Sequence, residues 1–317
     1  MPKTCSDGAE STLSGPTMGT RWAARYQAPA GVDHAALYQG LAQAVACVDR
    51  QMSPWKPDSD LMRLNRAAPG EWVTLPAEIL DVLDCALDVG RRSDGAFDAA
   101  VGDLVNAWGF GAQRDAPDAV AVREAASAHR FAHDGLLLDP TLGRVCKQSV
   151  MTLDLCGIAK GYAVDRMTAV MRDHGVGHAL LSLDGELRAL GARADGRPWA
   201  VALESPTDGL RAPHGVLELA DLAVATSGDY RHWIQVGGER LAHTMDGRRT
   251  APVRNSIASV TVLANECMAA DAWATALLVA GPDEGPALAR RVGLDALFLL
   301  RRDGRLIEWG VGRFGRG

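Results

Sequence analysis

Residues 178–191, HALLSLDGELRALG, place an Asp-Gly pair between two apolar runs. Such a pair favours the tight turn of a β-hairpin, whose two strands are antiparallel. More strand-like runs follow as far as residue 264, and the stretch 296–310, ALFLLRRDGRLIEWG, repeats the Asp-Gly signal. Because helices and hairpins alternate without a regular strand-helix repeat, the sequence predicts an α+β fold with antiparallel sheets packed against helices.

Helices are predicted on both sides of this strand-rich region. Residues 35–51 carry Leu37, Leu41, Val45 and Val48 at the three-to-four spacing of an amphipathic helix. Further helices are predicted at 59–65, 76–93, 160–174, 266–282 and 283–292. Shorter strands are predicted at 135–139, 144–148 and 150–155, whereas 110–134 is predicted as loop and helix without a motif.

The length of 317 residues suits a single large domain or two intimately packed lobes. We therefore expect a flexible N-terminus at 1–15 and one domain over 16–317.

Composition excludes several classes of protein. The 33 basic and 39 acidic residues give a formal net charge of −6, and no basic block suits nucleic acid. The six cysteines form no CxxC pair, which disfavours a zinc site and a disulfide framework. No apolar segment resembles a signal peptide or a membrane span, so a cytoplasmic protein is predicted, although a trimmed export signal would look the same.

Residues 153–167, LDLCGIAKGYAVDRM, predict a strand, a glycine turn and the start of a helix. The N–H groups at a helix N-terminus attract anions, and Gly157, Gly161 and Lys160 would let a phosphate approach. The spacing matches neither a Walker loop nor a GxGxxG fingerprint, so a helix cap with a solvated lysine is the alternative.

Three other features each allow a functional and a structural interpretation. Asp271 and Thr275 lie one helical turn apart and offer oxygens to a hard cation, or else serve only their own helix. His243 stands near Asp246 and could act as a base, or could be structural. Aromatic side chains in glycine loops, such as Trp55 and Phe97, could stack a planar ring or fill the core.

Seven segments in order resemble the motifs of the FAD:protein FMN transferase family, the ApbE-type flavin transferases. They are PTMGT (16–20), MSPWKPDSDLMRLN (52–65), DGAFDAAVGDLVNAWGFG (94–111), LDLCGIAKGYAVD (153–165), ATSGDYRHW (225–233), HTMDGRRTAPV (243–253) and ASVTVLANECMAADAWATALLVAG (258–281). The resemblance implies a magnesium-dependent α+β enzyme related to the T-fold. Such an enzyme splits FAD, attaches FMN to a threonine or serine of another protein and releases AMP.

The resemblance also implies site residues, position by position. FAD contacts match Met18, Trp55, Asn65, Ala96, Phe97, Asp98, Asp154, Lys160 and Met245, and Asn65 matches a position that governs whether flavin is held or hydrolysed. Magnesium ligands match the Gly157 carbonyl and the side chains of Asp271 and Thr275. Lys160 is expected to hold the transferred phosphoryl group, and His243 is our candidate base.

The resemblance further implies a partner, an acceptor protein with a Ser/Thr-Gly-Ala-Ser/Thr type motif, typically a subunit of a redox complex. Two alternatives stay open: a protein that binds FAD or hydrolyses it to FMN and AMP without transfer, and an inactive scaffold or FAD carrier.

The chain departs from the family pattern at three places. Cys156 replaces a glycine, Asp184 and Glu186 stand in a loop that usually reads Gly-Gly-Asp, and Gly247 replaces a proline, with Ala251 where glycine is common.

Overall fold

The structure is a computed structural model that describes residues 10–206, 212–230, 233–236 and 238–315. The predicted flexible segment 1–15 therefore lies partly outside the described residues. Its residues 10–15 belong to a strand that pairs with the next strand along the chain.

Most of the helices that the structure describes agree closely with the sequence-based predictions, but the helix at Gly102–Ala107 was not predicted. Their bounds are α1 (His34–Met52), α2 (Asp60–Arg66), α3 (Ala77–Arg92), α4 (Gly102–Ala107), α5 (Ala119–Ala128), α6 (Ala132–Gly135), α7 (Ala159–Asp173) and α8 (Cys267–Val292). Short 3-10 helices occupy Ala99–Val101 and Gly312–Phe314. Helix α8 is broken at Gly281, where φ is 83° and a proline follows, so the two helices predicted on either side of this point are observed.

The strands are mostly short and form several sheets. Their bounds are β1 (Glu10–Thr17), β2 (Thr20–Gln27), β3 (Trp72–Thr74), β4 (Leu136–Asp139), β5 (Arg144–Lys147), β6 (Ala179–Leu183), β7 (Glu186–Leu190), β8 (Trp199–Glu204), β9 (Pro213–Leu219), β10 (Ala223–Gly228), β11 (Trp233–Val236), β12 (Glu239–Ala242), β13 (Met245–Asp246), β14 (Ala251–Pro252), β15 (Ile257–Ala264), β16 (Asp295–Arg302) and β17 (Arg305–Val311).

An antiparallel sheet of eight strands, in the order β1-β2-β6-β7-β10-β15-β16-β17, forms the centre of the fold. Because side chains alternate between the faces of a strand, the inner strands of the sheet contribute to an apolar layer on each side. One face packs against α7 and α8, which in turn contact α1 and α3. The other face packs beneath the β8–β9 hairpin through residues such as Leu180, Val224 and Trp199. The predicted α+β fold is confirmed.

The predicted strand at 150–155 is wrong, because its backbone N–H and C=O groups form hydrogen bonds with side chains and with a neighbouring helix instead of with another strand. Leu153 N–H donates to the Asn65 side chain at 2.8 Å, and Thr152 N–H donates to the Asp103 carboxylate at 3.0 Å. The Thr152 carbonyl accepts from Gly102 N–H at 3.0 Å. The segment pairs with no strand in the described part of the chain.

The five cysteines among the described residues are all free thiols, as the absence of paired spacing predicts. No helix within the described ranges is both long and apolar enough to cross a membrane.

Candidate active site

The glycine turn before α7 meets α8 at the centre of the candidate site. Helix α7 begins at Ala159 without a side-chain cap from the residue before it. Instead, Gly161 N–H in its first turn donates to the Asp271 carboxylate of α8 at 3.0 Å. A free N–H group at a helix N-terminus needs such a partner. A cap therefore exists, but its carboxylate comes from a different helix, and Lys160 pairs with acidic side chains instead of being solvated as that alternative predicted.

Two glycines allow this close approach. A Cβ atom at Gly161 would overlap the carbonyl oxygen of Cys267 and lie 2.9 Å from the Asp271 Cβ. A Cβ atom at Gly157 would lie 3.2 Å from the Thr275 hydroxyl oxygen, closer than most such contacts. The glycine turn is thus brought against Asp271 and Thr275 of α8, a segment far from it in sequence.

The electrostatics of Asp271 suit a cation. Its side chain is buried, and this burial, together with the smaller effect of the nearby Glu186 charge, raises the pKa of the Asp271 carboxyl to about 7. Lys160 and the Gly161 N–H lower the pKa but do not cancel the shift. A buried carboxylate is stabilised when a cation or hydrogen-bond donors neutralise it. The Thr275 hydroxyl also lies 3.0 Å from that of Ser227.

The donor set fits a hard metal ion such as Mg²⁺, which prefers oxygen ligands and keeps some of its waters. Within the ranges that the structure describes, no three His, Cys, Asp or Glu side chains converge as a metal centre. The oxygens that could hold a cation here are the Asp271 carboxylate and the Thr275 hydroxyl, which lie one helical turn apart on α8.

Lys160 is a cation beside this cluster. Its ammonium lies 2.7 Å from Glu186 and 3.5 Å from Asp184. Burial alone would lower the pKa of Lys160, but Glu186, Asp271 and Asp184 outweigh it, and the net shift of the pKa is upward. The lysine therefore remains charged rather than acting as a base at neutral pH.

Glu186 is a buried acid beside Lys160 that the sequence does not predict, because its loop departs from the family pattern. It is almost fully buried at the start of β7, and burial raises its own pKa, while Lys160 opposes that shift. Asp184 in the preceding turn adopts a positive φ of 57°, a conformation that the Asp-Gly turn signal predicts.

Asn65 holds the segment that leads into the glycine turn. Its side-chain amide donates to the Leu153 carbonyl at 3.0 Å and accepts from Leu153 N–H at 2.8 Å. The buried Lys147 ammonium donates to the Asn65 carbonyl at 2.7 Å and to the Met151 carbonyl at 3.2 Å. Lys147 is thus a second residue that sequence reasoning missed, since a lysine in a strand gives no signal of burial.

A cleft opens between the loop after α1, helix α2 and the region of α4. Its lining combines apolar side chains with amides and a carboxylate, and includes Pro54, Met62, Asn65, Asn106, Thr152 and Asp154. Asp154 is half-buried; burial raises its pKa, while the Cys156 N–H that it accepts at 2.7 Å acts against the shift. Asn65 and Asp154, predicted FAD contacts, therefore share one cleft.

The segment of Ala96, Phe97 and Asp98 packs behind the glycine turn. All three residues are buried, and the Phe97 ring would lie 3.5 Å from a Cβ atom at Gly157. Asp98 caps the following 3-10 helix by accepting from Ala100 N–H at 3.0 Å. Phe97 therefore fills the core, whereas Trp55 is 58% exposed, which leaves its ring able to stack on a ligand.

The remaining predicted residues lie on turns. Met18 occupies the β1–β2 turn with a φ of 45° and is half-buried. Met245 is buried in β13, and His243, two residues earlier, is half-buried. Of the predicted block 225–233, residues 231–232 lie outside the described part of the chain.

Solved structures with the same architecture define the class. The flavinyl transferase ApbE of Pseudomonas stutzeri in its apo form is 32% identical, with a TM-score of 0.88 and coverage of 98% of both chains. The flavin transferase ApbE of Vibrio cholerae is 31% identical, with a TM-score of 0.86 over 95% of this chain and 97% of that one. The fold is thus that of the flavin transferase class.

Sequence comparison gives the family. The ApbE family model matches residues 18–298. An FAD:protein FMN transferase from Vibrio cholerae is 35% identical over 98% of this chain and 93% of its own length. The corresponding Escherichia coli K12 protein is 32% identical over 92% of this chain and 84% of its own length. The chain belongs to the ApbE family.

Proposed function

We propose that this protein transfers FMN from FAD to a threonine or serine hydroxyl of an acceptor protein and releases AMP. The observation that carries the proposal is the convergence of Gly157, Asp271 and Thr275 beside the charged Lys160. This arrangement suits a substrate with a pyrophosphate group, and the names of the similar proteins specify FAD as that substrate.

Mg²⁺ is the cation that we propose for the site, held by the Gly157 carbonyl and the side chains of Asp271 and Thr275. When bound, it would neutralise charge on the pyrophosphate oxygens and on the phosphoryl group in transfer.

The chain's own groups would orient the phosphates. Lys160 is kept protonated by Glu186 and would donate to a phosphate oxygen. The first turn of α7 adds the positive end of a helix dipole. These fixed charges would hold the reacting phosphorus in line with the incoming hydroxyl. Charges that are already in place where negative charge develops in the transition state accelerate such a transfer.

We assign the flavin and adenosine contacts to Met18, Trp55, Asn65, Ala96, Phe97, Asp98, Asp154 and Met245. The exposed Trp55 ring and the cleft that Asn65 shares with Asp154 support this assignment. The buried Ala96 and Phe97 would act by shaping the wall of the site.

His243 is our proposed general base for the acceptor hydroxyl. It lies half-buried, two residues before Met245 at the start of β13. A His243→Ala variant that binds FAD normally and transfers FMN at the wild-type rate would exclude this role.

The acceptor would carry a Ser/Thr-Gly-Ala-Ser/Thr type motif and would most naturally be a subunit of a redox complex. The decisive experiment incubates the protein with FAD, Mg²⁺ and a fusion that carries this motif. We expect in-gel flavin fluorescence, the mass of an FMN adduct on the acceptor, and equimolar AMP. An acceptor with alanine in place of the target hydroxyl residue is the control.

The same experiment separates the alternatives. AMP without an adduct would select a hydrolase, and FAD binding without AMP would select a carrier or scaffold. Either result would overturn the proposed transfer.

A further inference from the structure

His129 is a buried histidine in the region 110–134, where the sequence shows no motif. It lies between α5 and α6, and its side chain is 8% exposed. Its Nε2 atom lies 3.1 Å from Oδ2 of Asp98, whose side chain is 1% exposed. A loop outside the family motifs therefore contacts a residue of the proposed FAD site.

Asp98 Oδ2 and His129 Nε2 are buried polar atoms that face each other. Asp98 Oδ1 accepts from Ala100 N–H at 3.0 Å and from Ala132 N–H at 2.9 Å. Asp98 Oδ2 and His129 Nε2 are buried, and neither has a hydrogen bond of good geometry with any residue that the structure describes. Buried polar atoms without such partners are destabilising unless charge or alignment compensates them. Asp98 Oδ2 and His129 Nε2 lie 3.1 Å apart, so each provides a polar neighbour for the other.

The third participant is Gly247, which follows β13. A Cβ atom at this position would lie 3.0 Å from both Asp98 Oδ2 and His129 Nε2, and 3.4 Å from the Phe131 ring. A side chain at position 247 would therefore be in tight contact with the pair, and Asp98 or His129 would have to shift to accommodate it.

We propose that His129 is a positioning residue for the flavin site. It joins the segment 96–98 to the turn between β13 and β14, and both segments carry proposed FAD contacts, Asp98 and Met245. The proposal rests on the proposed function, since that function supplies the ligand.

The surroundings of His129 favour a fixed orientation of its ring. Phe131 meets the imidazole edge to face, with the ring centroids 5.3 Å apart. Such aromatic pairs have a preferred geometry. The imidazole is therefore held between Phe131, Asp98 and Gly247, and it sets how closely the two segments approach.

The test compares His129→Ala, Gly247→Ala and the double variant. His133→Ala is the matched control, because His133 also contacts the Phe131 ring but lies beside Asp134 instead of Asp98. The measurements are the Kd for FAD, kcat and KM for FMN transfer, and the Tm of each variant.

We expect each single variant to raise the Kd for FAD about tenfold, with kcat at saturating FAD within about twofold of wild type. The double variant should also be weakened about tenfold, not a hundredfold, because the two changes disrupt the same contact. His129→Gln, whose side-chain amide can place an N–H group beside Asp98 Oδ2, should recover most of the affinity.

Three outcomes would overturn the proposal. The first is a His129→Ala protein that binds FAD as tightly as His133→Ala, and the second is strict additivity in the double variant. The third is a fall in Tm with an unchanged Kd, which would show a structural role alone. If the wild-type protein binds FAD without transferring FMN, the proposed function is wrong. The role of His129 is then still tested by comparing the Kd values for FAD. Wild-type protein that does not bind FAD would overturn both.

Discussion

The Asp271 carboxylate accepts the Gly161 N–H at 3.0 Å, and this hydrogen bond joins α8 to the first turn of α7. It places a buried acid next to the positive end of a helix, in the same cluster as Gly157 and Thr275. The same carboxylate is the proposed ligand of Mg²⁺. The Asp271 side chain therefore has both a structural role, as the acceptor of the Gly161 N–H, and a proposed chemical role, as a metal ligand.

Asp271→Asn should separate these two roles. The asparagine oxygen can still accept the Gly161 N–H, so the fold should persist, but the negative charge that attracts a cation is lost. We expect FMN transfer to fall at least about a hundredfold, as for other groups that stabilise charge in the transition state. Transfer assays over a Mg²⁺ titration measure this. Asp283→Asn, at an exposed position of α8, is the control and should behave as wild type; equal activity of the two variants would contradict the assignment.

Gly161→Ala should destabilise the protein because the new methyl group would overlap the Cys267 carbonyl. Overpacking of this kind typically costs about 1–3 kcal/mol. Urea unfolding monitored by circular dichroism gives the free energy of unfolding. Gly177→Ala is the matched control, since a Cβ atom there meets nothing within 4 Å and its φ is not positive. Equal stability of the two variants would show that α7 and α8 can shift enough to accommodate the methyl group, and would contradict the predicted cost.

Glu186→Gln should weaken the protein and its proposed activity together. The glutamine oxygen can still accept from the Lys160 ammonium, but the buried negative charge that lies 2.7 Å from it is lost, and loss of one charge of a buried pair costs about 3 kcal/mol or more. Thermal unfolding and the KM for FAD are the measurements. In the double variant Lys160→Met with Glu186→Gln, stability should recover in part although activity should not. A Glu186→Gln protein as stable as wild type would contradict the inferred strength of the pair.

Lys147→Met should loosen the segment 151–155. It removes the donor to the carbonyls of Asn65 and Met151, and each buried acceptor left without a partner costs about 1–3 kcal/mol. We expect lower stability and a higher Kd for FAD, measured by thermal unfolding and flavin fluorescence. Arg302→Met, at an exposed cationic residue at the end of β16, serves for comparison and should change neither quantity. Unchanged FAD affinity would show that Lys147 supports the fold alone.

Local patterns predicted most of the helices. The apolar spacing over 35–51 identified α1 to within one residue at each end, and the Gly-Pro pair at 281–282 marked the break in α8. Asp-Gly pairs identified the β6–β7 and β16–β17 hairpins. These features depend on neighbouring residues, and so they can be read from a single sequence.

The sequence did not predict local structure or burial correctly where these depend on contacts with residues distant in sequence. Residues 150–155 have the composition of a strand, but Asn65 and Asp103 bind their backbone. The burial of Glu186 and Lys147 was not predicted, because their partners come from other segments. The roles assigned to Met18, Trp55 and His243 stay predictions.

Information along the chain was enough to establish the α+β class, the positions of most helices and hairpins, and the family, because periodicity, turn residues and ordered motifs are properties of the sequence. The folded arrangement was needed to show that Asp271 caps α7, that Lys160 pairs with Glu186, and that His129 meets Asp98 beside Gly247. Burial, charge pairing and close packing arise between segments far apart in sequence, and these interactions exist only once the chain has folded.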